Sequence, residues 1–514
     1  MKKIKLLDCT IRDGGYYTNW DFDKNLVKTY CKSMESLPIE YVEVGYRSIP
    51  LEGYLGEYFY CPDFVLKQLK EMMPSKKLVI ILNEKDIRAS HVPKLLKPCK
   101  DYISMVRIAV DPANFGRAIE LAKAVKIMGF EVAFNVMYMS QWKEDNSFLD
   151  LLDGLEDTID YFYMVDSFGG VFQEDVKETI NLVKSKTNVG LGFHGHNNLE
   201  MALANTITAM NEGCEIVDAT ITGMGRGAGN LRTELLLTYL NSNGYEGITF
   251  GDLSETVTLF EDMKKEYEWG TNLPYMFSGA YSLPQKQVME WVGMNRYPVA
   301  SMVNALHNKK SSIDDNLSLP TLGNVQKIKD VLIVGGGNTV RENKQTLQVF
   351  LQQNKDMKVI HTGMKYFSSF KDIENEQYYA LVGFEGEKLS DAIEGIDLSN
   401  KKFIYPPHPR KMGTLIPKET MSSSYELSCI NFTKVSNDSP LAIAIQLAID
   451  MQAENIKLIG FDGYDTNFNK GQFKLVQENQ NVFLDLLKYK DVELCTLTPS
   501  KYEKLKQSSI YSSL

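Results

Sequence analysis

The chain has 514 residues, 44% hydrophobic and 24% charged, with a formal net charge of −10. That length is too great for one ordinary core and asks for two or three domains. The acidic balance argues against nucleic acid or an anionic membrane as the main partner, and no run reaches the roughly 20 apolar residues of a membrane helix.

In chain order, the residues after Met1 do not read as a secretory signal, because Lys5 and Asp8 interrupt the short apolar run. Eight candidate strands follow: IKLLD (4–8), YVEVGY (41–46), KLVIILN (77–83), YISMVRIAV (102–110), EVAFNVMYM (131–139), YFYMVDS (161–167), VGLGFHGH (189–196) and IVDATITGMG (216–225). Most are nearly continuous apolar runs rich in Val, Ile and Phe, the pattern of parallel strands buried on both faces. Helical segments lie between them, such as ANFGRAIELAKAVKIM (113–128), with apolar residues three and four apart. Eight alternating units over 1–250 have the rhythm of a closed (β/α)8 TIM barrel. Periodicity alone leaves an open doubly wound sheet as the alternative.

Residues 251–318 read as a helical extension, through GDLSETVTLFEDMKKEYEW, PQKQVMEWVGMN and PVASMVNALHNKK, ending in the polar linker NKKSSIDDNLSLPTLGN (308–324). A second α/β pattern fills 319–514 and predicts an open, Rossmann-like sheet. Its candidate strands are in KDVLIVGGGNTV (329–340), KVIHTG (358–363), YALVGF (379–384), KFIYPP (402–407), SCINFT (428–433) and IKLIGFDG (456–463), with a helix over 439–453. The turn GGGNTV (335–340) lacks the last glycine of a dinucleotide fingerprint, because position 340 is Val340, and the next strand ends in His361-Thr362 rather than an acidic residue. No cofactor-binding residue is therefore assigned there. The turn is expected to aim a helix N-terminus at a phosphate or a carboxylate. His408, Arg410, Asp462 and Asp465 could line a cleft or belong to solvated loops.

In a parallel barrel, chemistry sits at the carboxyl ends of the strands. The polar residues there are Arg12, Asp13, Glu43, Tyr46, Asn83, Arg107, Asn135, Asp166, Ser167, His194, His196, Arg226 and Asn230. Strand alternation puts His194 and His196 on one face. Two imidazoles and a carboxylate suit a divalent metal that keeps positions open for substrate, and Asp13 is the best first-strand carboxylate. A hydrogen-bonded histidine pair is the plainer alternative. Seven cysteines occur singly, so free thiols in a reducing cytoplasm are expected, not structural zinc.

LLDCTIRDGG (6–15), YVEVG (41–45), GFHGHNN (192–198) and GMGRGAGN (223–230) together resemble the metal-dependent aldolase and acyltransferase-like TIM-barrel lyases, the hydroxymethylglutaryl-CoA lyase-like superfamily. With SGAYS (278–282), they look most like the 4-hydroxy-2-oxovalerate aldolases. The resemblance implies Asp13, His194 and His196 as metal ligands, with Asn230 as a further amide ligand. The metal it implies is Mn2+ or Mg2+, with Zn2+ or Co2+ as alternatives. Arg12 becomes the cation that stabilises an enolate, Glu43 the residue that orients it, and Tyr281 a proton-handling group. Asp166 and Ser167 bind substrate or serve the fold. The implied activity joins or cleaves a 2-oxo acid such as pyruvate and an aldehyde, in a setting such as the biosynthesis of an unusual sugar acid or glycan component. A Claisen-type acyltransferase using acyl-CoA and a 2-oxo acid is the alternative. Residues 251–310 are candidates for a homodimer contact. One position departs from the aldolase pattern: Tyr16 stands where the family has a histidine base, and a phenol with a pKa near 10 is a poor base at neutral pH.

Overall fold

A computed structural model describes residues 4–294, 296–323, 327–383, 385–435, 437–463, 470–489 and 493–514; Asn295, Asn324, Phe384 and Asp465, drawn into the sequence expectations, lie outside them. The chain folds as two compact units, Met1–Met289 and Glu290–Leu514.

In the first unit, eight parallel strands close into a barrel in sequence order. They are β1 (Lys5–Asp8), β2 (Tyr41–Tyr46), β3 (Lys77–Asn83), β4 (Ile103–Val110), β5 (Glu131–Val136), β6 (Tyr161–Asp166), β7 (Gly190–Gly195) and β8 (Ile216–Ala219). β8 returns to β1 from Lys5↔Ile216 to Asp8↔Ala219, which excludes the open sheet. The helices outside follow the apolar spacing of the sequence. In Phe115–Ile127 the buried residues are Phe115, Ala118, Leu121, Ala122 and Val125, a stripe on one face.

Period-two alternation builds the barrel interior in layers. Leu7, Tyr41, Val79, Met105, Ala133, Tyr161, Tyr163 and Ile216 form an apolar plug. Two residues further along their strands, Glu43, Arg107, Asn135 and Asp218 form a polar layer that is buried. The two tyrosines of β6 need space, and β7 supplies it with glycine. A Cβ on Gly192 would lie 2.6 Å from the Tyr163 ring.

The second unit is one parallel sheet in the order β13-β12-β11-β10-β9-β14-β15-β16. Its strands are β9 (Asp330–Val334), β10 (Lys358–His361), β11 (Gln377–Ala380), β12 (Lys401–Tyr405), β13 (Ser424–Glu426), β14 (Asn455–Ile459), β15 (Glu493–Thr496) and β16 (Lys506–Gln507). The strand expected at 428–433 does not form; the sheet is continued instead by β13. The polar groups of 428–433 are satisfied elsewhere: Asn431 N donates to Gln446 Oε1 at 3.1 Å, and Thr433 Oγ1 to Asp485 at 2.8 Å. The glycine turn after β9 is closed by the chain's own carboxylate. Asp462 accepts from Thr339 N at 3.0 Å and from its hydroxyl, and a Cβ on Gly337 would lie 2.5 Å from that carboxylate. Arg410, a candidate for a cleft with Asp462 or for a solvated loop, pairs instead with Glu426 of β13 at 2.6 Å, and β12, β11, β10 and β9 separate β13 from β14, which Asp462 follows. Among the described residues no helix is long and apolar enough to cross a membrane.

Two substitutions test these packing arguments. Gly192→Ala should cost about 1–3 kcal/mol of barrel stability by overpacking against Tyr163, read by urea denaturation. In the second unit, His361 is stacked 4.3 Å from Tyr379 and bonded to Gln377 Oε1 at 3.1 Å, and burial holds its pKa down to about 3. The unfolded imidazole takes a proton near pH 6.5, so stability falls as pH drops below that value. His361→Phe leaves Gln377 Oε1 with the Tyr379 hydroxyl as donor at 2.8 Å. It should spare the unit about 2 kcal/mol of the loss at pH 5, measured by denaturant melts at pH 7.5 and 5.

Candidate active site

The carboxyl end of β1 runs straight into the helix Thr10–Thr18. Buried Asp8 fixes that junction. Its Oδ1 accepts from Thr10 N at 2.9 Å, Thr10 Oγ1 at 2.6 Å and the Tyr30 hydroxyl at 2.6 Å, while Oδ2 accepts from Thr233 Oγ1 at 2.6 Å. The paired glycines of RDGG let the helix lie close against its neighbours. A Cβ on Gly14 would meet Met224 Sδ at 2.5 Å, and one on Gly15 the Trp20 ring at 2.1 Å. Arg12 and Asp13 are thereby turned over the barrel mouth, 6% and 2% exposed. Arg12 Nε donates to Glu43 Oε2 at 2.6 Å and Nη1 to Asp13 Oδ1 at 2.5 Å. Its Nη2 takes no partner among the described residues. Burial opposes ionisation of Asp13, but the Arg12 guanidinium, with smaller contributions from both histidines and the Asn230 amide, holds its pKa at about 2.

β7 delivers the histidines. The ligand atoms of Asp13, His194 and His196 all lie within 4.8 Å of one another. His196 Nδ1 is 2.7 Å from the Asp166 carbonyl oxygen, which can only accept, so Nδ1 carries the hydrogen and Nε2 keeps its lone pair. His194 Nδ1 faces Asp218 Oδ2 at 2.8 Å, and its Nε2 faces Asp13 Oδ2 at 3.8 Å. Burial, with the neighbouring His194 ring and the Arg226 guanidinium, holds the His196 pKa down to about 3 and keeps that ring neutral. A second grouping, Cys9, His194 and Asp218, would use the other side of the same ring. Burial pushes the Cys9 thiol pKa far up, and the thiol donates to Ala219 O at 3.6 Å, so it is protonated.

The segment 223–230 folds back over the mouth. Asn230 N donates to Gly223 O at 3.1 Å, and Leu231 N to Gly195 O at 3.2 Å, which sets Asn230 beside His196. Gly229 makes the reversal possible: its φ is +78°, and a Cβ there would lie 2.1 Å from Gly223 O. Asn230 Nδ2 reaches Asp13 Oδ2 at 2.5 Å, while the buried Oδ1 has no hydrogen bond. The residues fit a divalent cation on three counts. Two imidazoles, that of His196 neutral, and an ionised carboxylate converge, a buried amide oxygen is left unpaired, and the buried layer holds two guanidiniums (Arg12, Arg107) against three carboxylates (Asp13, Glu43, Asp218).

Other expected residues take different places. The Asp166 carboxylate accepts from Gly170 N at 3.2 Å and Val171 N at 3.5 Å, holding the loop after β6, and burial raises its pKa to about 7. Ser167 Oγ accepts from Tyr138 N at 2.9 Å. The Tyr16 hydroxyl is 3.1 Å from that of Tyr46. Tyr281 ends the helix Leu273–Ala280, 41% exposed, with its ring 4.6 Å from that of Phe277. Sequence reasoning missed Asp218, although its central place in IVDA made it inward-facing by the same alternation that identified His194. Asp8 was missed as well; it reads only as the last residue of a strand.

Residues 3–259 match the HMGL-like family. The chain is 30% identical over 266 residues to a 4-hydroxy-2-oxovalerate aldolase of Carboxydothermus hydrogenoformans, covering 51% of this chain and 77% of the relative. It is 26% identical over 241 residues to an oxaloacetate decarboxylase of Mycobacterium tuberculosis, covering 47% and 70%. Among solved structures, the N-terminal domain of a candidate aldolase from Bacteroides vulgatus aligns at 51% identity and a TM-score of 0.56, over 59% of this chain and 100% of that one.

Metal content tests the ligand set. His194→Ala combined with His196→Ala should leave no Mn2+ bound after desalting, and Asp218→Asn should weaken Mn2+ about 10–100-fold by releasing the His194 ring. Unchanged Mn2+ in the double variant, with a native circular-dichroism melt, would remove these residues from the site.

Proposed function

The chain belongs to the HMGL-like family and is an enzyme of its lyase type, and from that premise we propose that it is a divalent-metal-dependent aldolase. It makes or cleaves the carbon–carbon bond between a 2-oxo acid of the pyruvate kind and an aldehyde. The observation that carries this reading is the convergence of Asp13, His194 and His196 beside the Arg12 guanidinium.

Asp13, His194 and His196 would hold the cation, with the Asn230 amide beside them, and Mn2+ or Mg2+ suits this nitrogen and oxygen donor set. Such a cation, when bound, supplies Lewis-acid polarisation of the 2-oxo group. The chain's own residues do the rest. In the cleavage direction the bond between the two halves breaks, its electron pair passes into the 2-oxo fragment, and an enolate results. Arg12 is fixed by Glu43 and Asp13 and aims its unpartnered Nη2 at the developing negative oxygen, with no reorganisation at the moment of reaction. The proton of the substrate hydroxyl passes to Tyr16 Oη as the Tyr16 phenol, 37% exposed, hands its own proton to water, so that Tyr16 relays the proton rather than storing it. Burial pushes the Tyr46 phenol well above its ordinary pKa, so Tyr46 stays neutral beside Tyr16, the two hydroxyls 3.1 Å apart. Decarboxylation of oxaloacetate is the second reading, favoured by the match to a decarboxylase, and it generates the same enolate.

Pyruvate in D2O with the protein and Mn2+ or Mg2+ should exchange its methyl protons, followed by NMR; no exchange with either metal would falsify the proposal. Carbon dioxide release from oxaloacetate, aldol formation with added aldehydes and thiol release from acetyl-CoA separate decarboxylase, aldolase and Claisen-type acyltransferase. Arg12→Lys should lower kcat about 100-fold or more while shifting Mn2+ affinity much less, since an ammonium cannot reproduce the guanidinium fork.

A further inference from the structure

Three arginines approach the barrel mouth, and two are held in place by buried carboxylates. Arg12 is held by Asp13 and Glu43, and Arg107 by Asp218, Glu43 and Asn135. The third, Arg226, is half-buried and has neither an ion pair nor a side-chain hydrogen bond among the described residues. Its guanidinium lies over the Tyr16 ring, 5.2 Å from the centroid. The loop beneath it is braced: Gly229 N donates to Arg226 O at 3.2 Å, and the Tyr17 hydroxyl to Gly227 O at 3.3 Å. Consecutive residues of one helix therefore hold it, Tyr16 under the side chain and Tyr17 under the backbone.

A half-buried guanidinium with no counter-charge carries part of its desolvation cost uncompensated, which an incoming anion removes. The 2-oxo acid half of the substrate is served by the metal-ligand cluster and Arg12. The aldehyde oxygen must lie within hydrogen-bond reach of Tyr16 Oη, where the aldol hydroxyl proton is exchanged. A cation fixed on the Tyr16 ring is then beside the substituent of the aldehyde. We propose that Arg226 is a specificity residue, and that the enzyme selects an aldehyde bearing an anionic oxyacid group, a carboxylate or a phosphate. This inference rests on the aldolase reading above.

The test measures kcat/KM for aldol formation from pyruvate with three aldehydes. Succinic semialdehyde carries a carboxylate, D-glyceraldehyde 3-phosphate a phosphate, and butanal neither. The wild type should favour at least one anionic aldehyde over butanal by about 10–100-fold, the range of a charge-assisted hydrogen bond. Whichever is preferred identifies the group. Arg226→Met should collapse that ratio through KM, and Arg226→Lys should restore part of it. Equal use of all three by the wild type, or an undiminished ratio in Arg226→Met, overturns the inference. Methyl-proton exchange of pyruvate in the wild type, with no aldehyde present, reports separately on the aldolase reading. A turnover-free measurement covers the case in which exchange fails. Saturation-transfer NMR of succinic semialdehyde and of D-glyceraldehyde 3-phosphate on EDTA-treated protein should show binding of at least one to the wild type and loss of it in Arg226→Met. No binding, or equal binding by both proteins, counts against Arg226.

Discussion

Arg107 is fully buried inside the barrel, and taking its charge out of water would cost several kcal/mol if nothing compensated it. The compensation is what orders the site. Asp218 Oδ2 meets it at 2.7 Å, Glu43 Oε2 at 3.3 Å and Asn135 Oδ1 at 2.6 Å, and the Tyr163 ring lies 4.1 Å beneath it. Two of these partners lead outward to the mouth. Asp218 shares its Oδ2 with His194, and Glu43 shares its Oε2 with Arg12, which in turn holds Asp13. One buried guanidinium therefore fixes an imidazole on one side of the cluster and a carboxylate on the other. The layer it organises has one carboxylate more than it has guanidiniums, an imbalance that a cation relieves.

Such a layer is stable only if water and slack are kept out, which explains the small residues around it. Gly192 makes room for Tyr163, whose ring covers Arg107, and Gly14 and Gly15 let the helix after β1 settle onto Met224 and Trp20. Asp8 locks the first turn of that helix through four hydrogen bonds. None of these residues reaches the mouth. Each restricts the position of one that does, and a displacement of about 1 Å at the reacting groups is enough to matter.

The barrel was legible because its information is periodic and local. Continuous apolar strands, helices with apolar residues three and four apart and an HxH at a strand end each survive without knowledge of the fold. The ion layer was only half legible. Glu43 was legible as the partner that orients Arg12, but the partner of Arg107, Asp218, could be named only once the barrel closed and set β4 across from β8. In the second unit, SCINFT has the composition of a strand, yet its polar groups go to Gln446 and Asp485, and the three-residue β13 takes the sheet position. β15 and β16, four and two residues long, carry too little pattern to be seen in sequence. The glycine turn at 335–337 was read correctly as a place for an anion. That the anion is Asp462, more than a hundred residues away, was beyond any local signal.

Tyr16 and Arg226 belong to a different physical regime from the layer below them. Asp13, His194 and Asp218 are nearly or fully excluded from water, so any change among them is felt as unpaired charge in a low-dielectric interior. Tyr16 is 37% exposed and Arg226 half-buried, where water can partly replace a lost partner. Substitution at the rim is therefore cheaper in stability than substitution in the layer below. The two residues also touch, so the sequence departure at position 16 and the unpaired cation at position 226 form one contact between the helix after β1 and the loop after β8. In the proposed reaction, generating an enolate depends on the buried layer, and choosing its partner and moving the accompanying proton fall to this contact, which can vary without disturbing the charges beneath it.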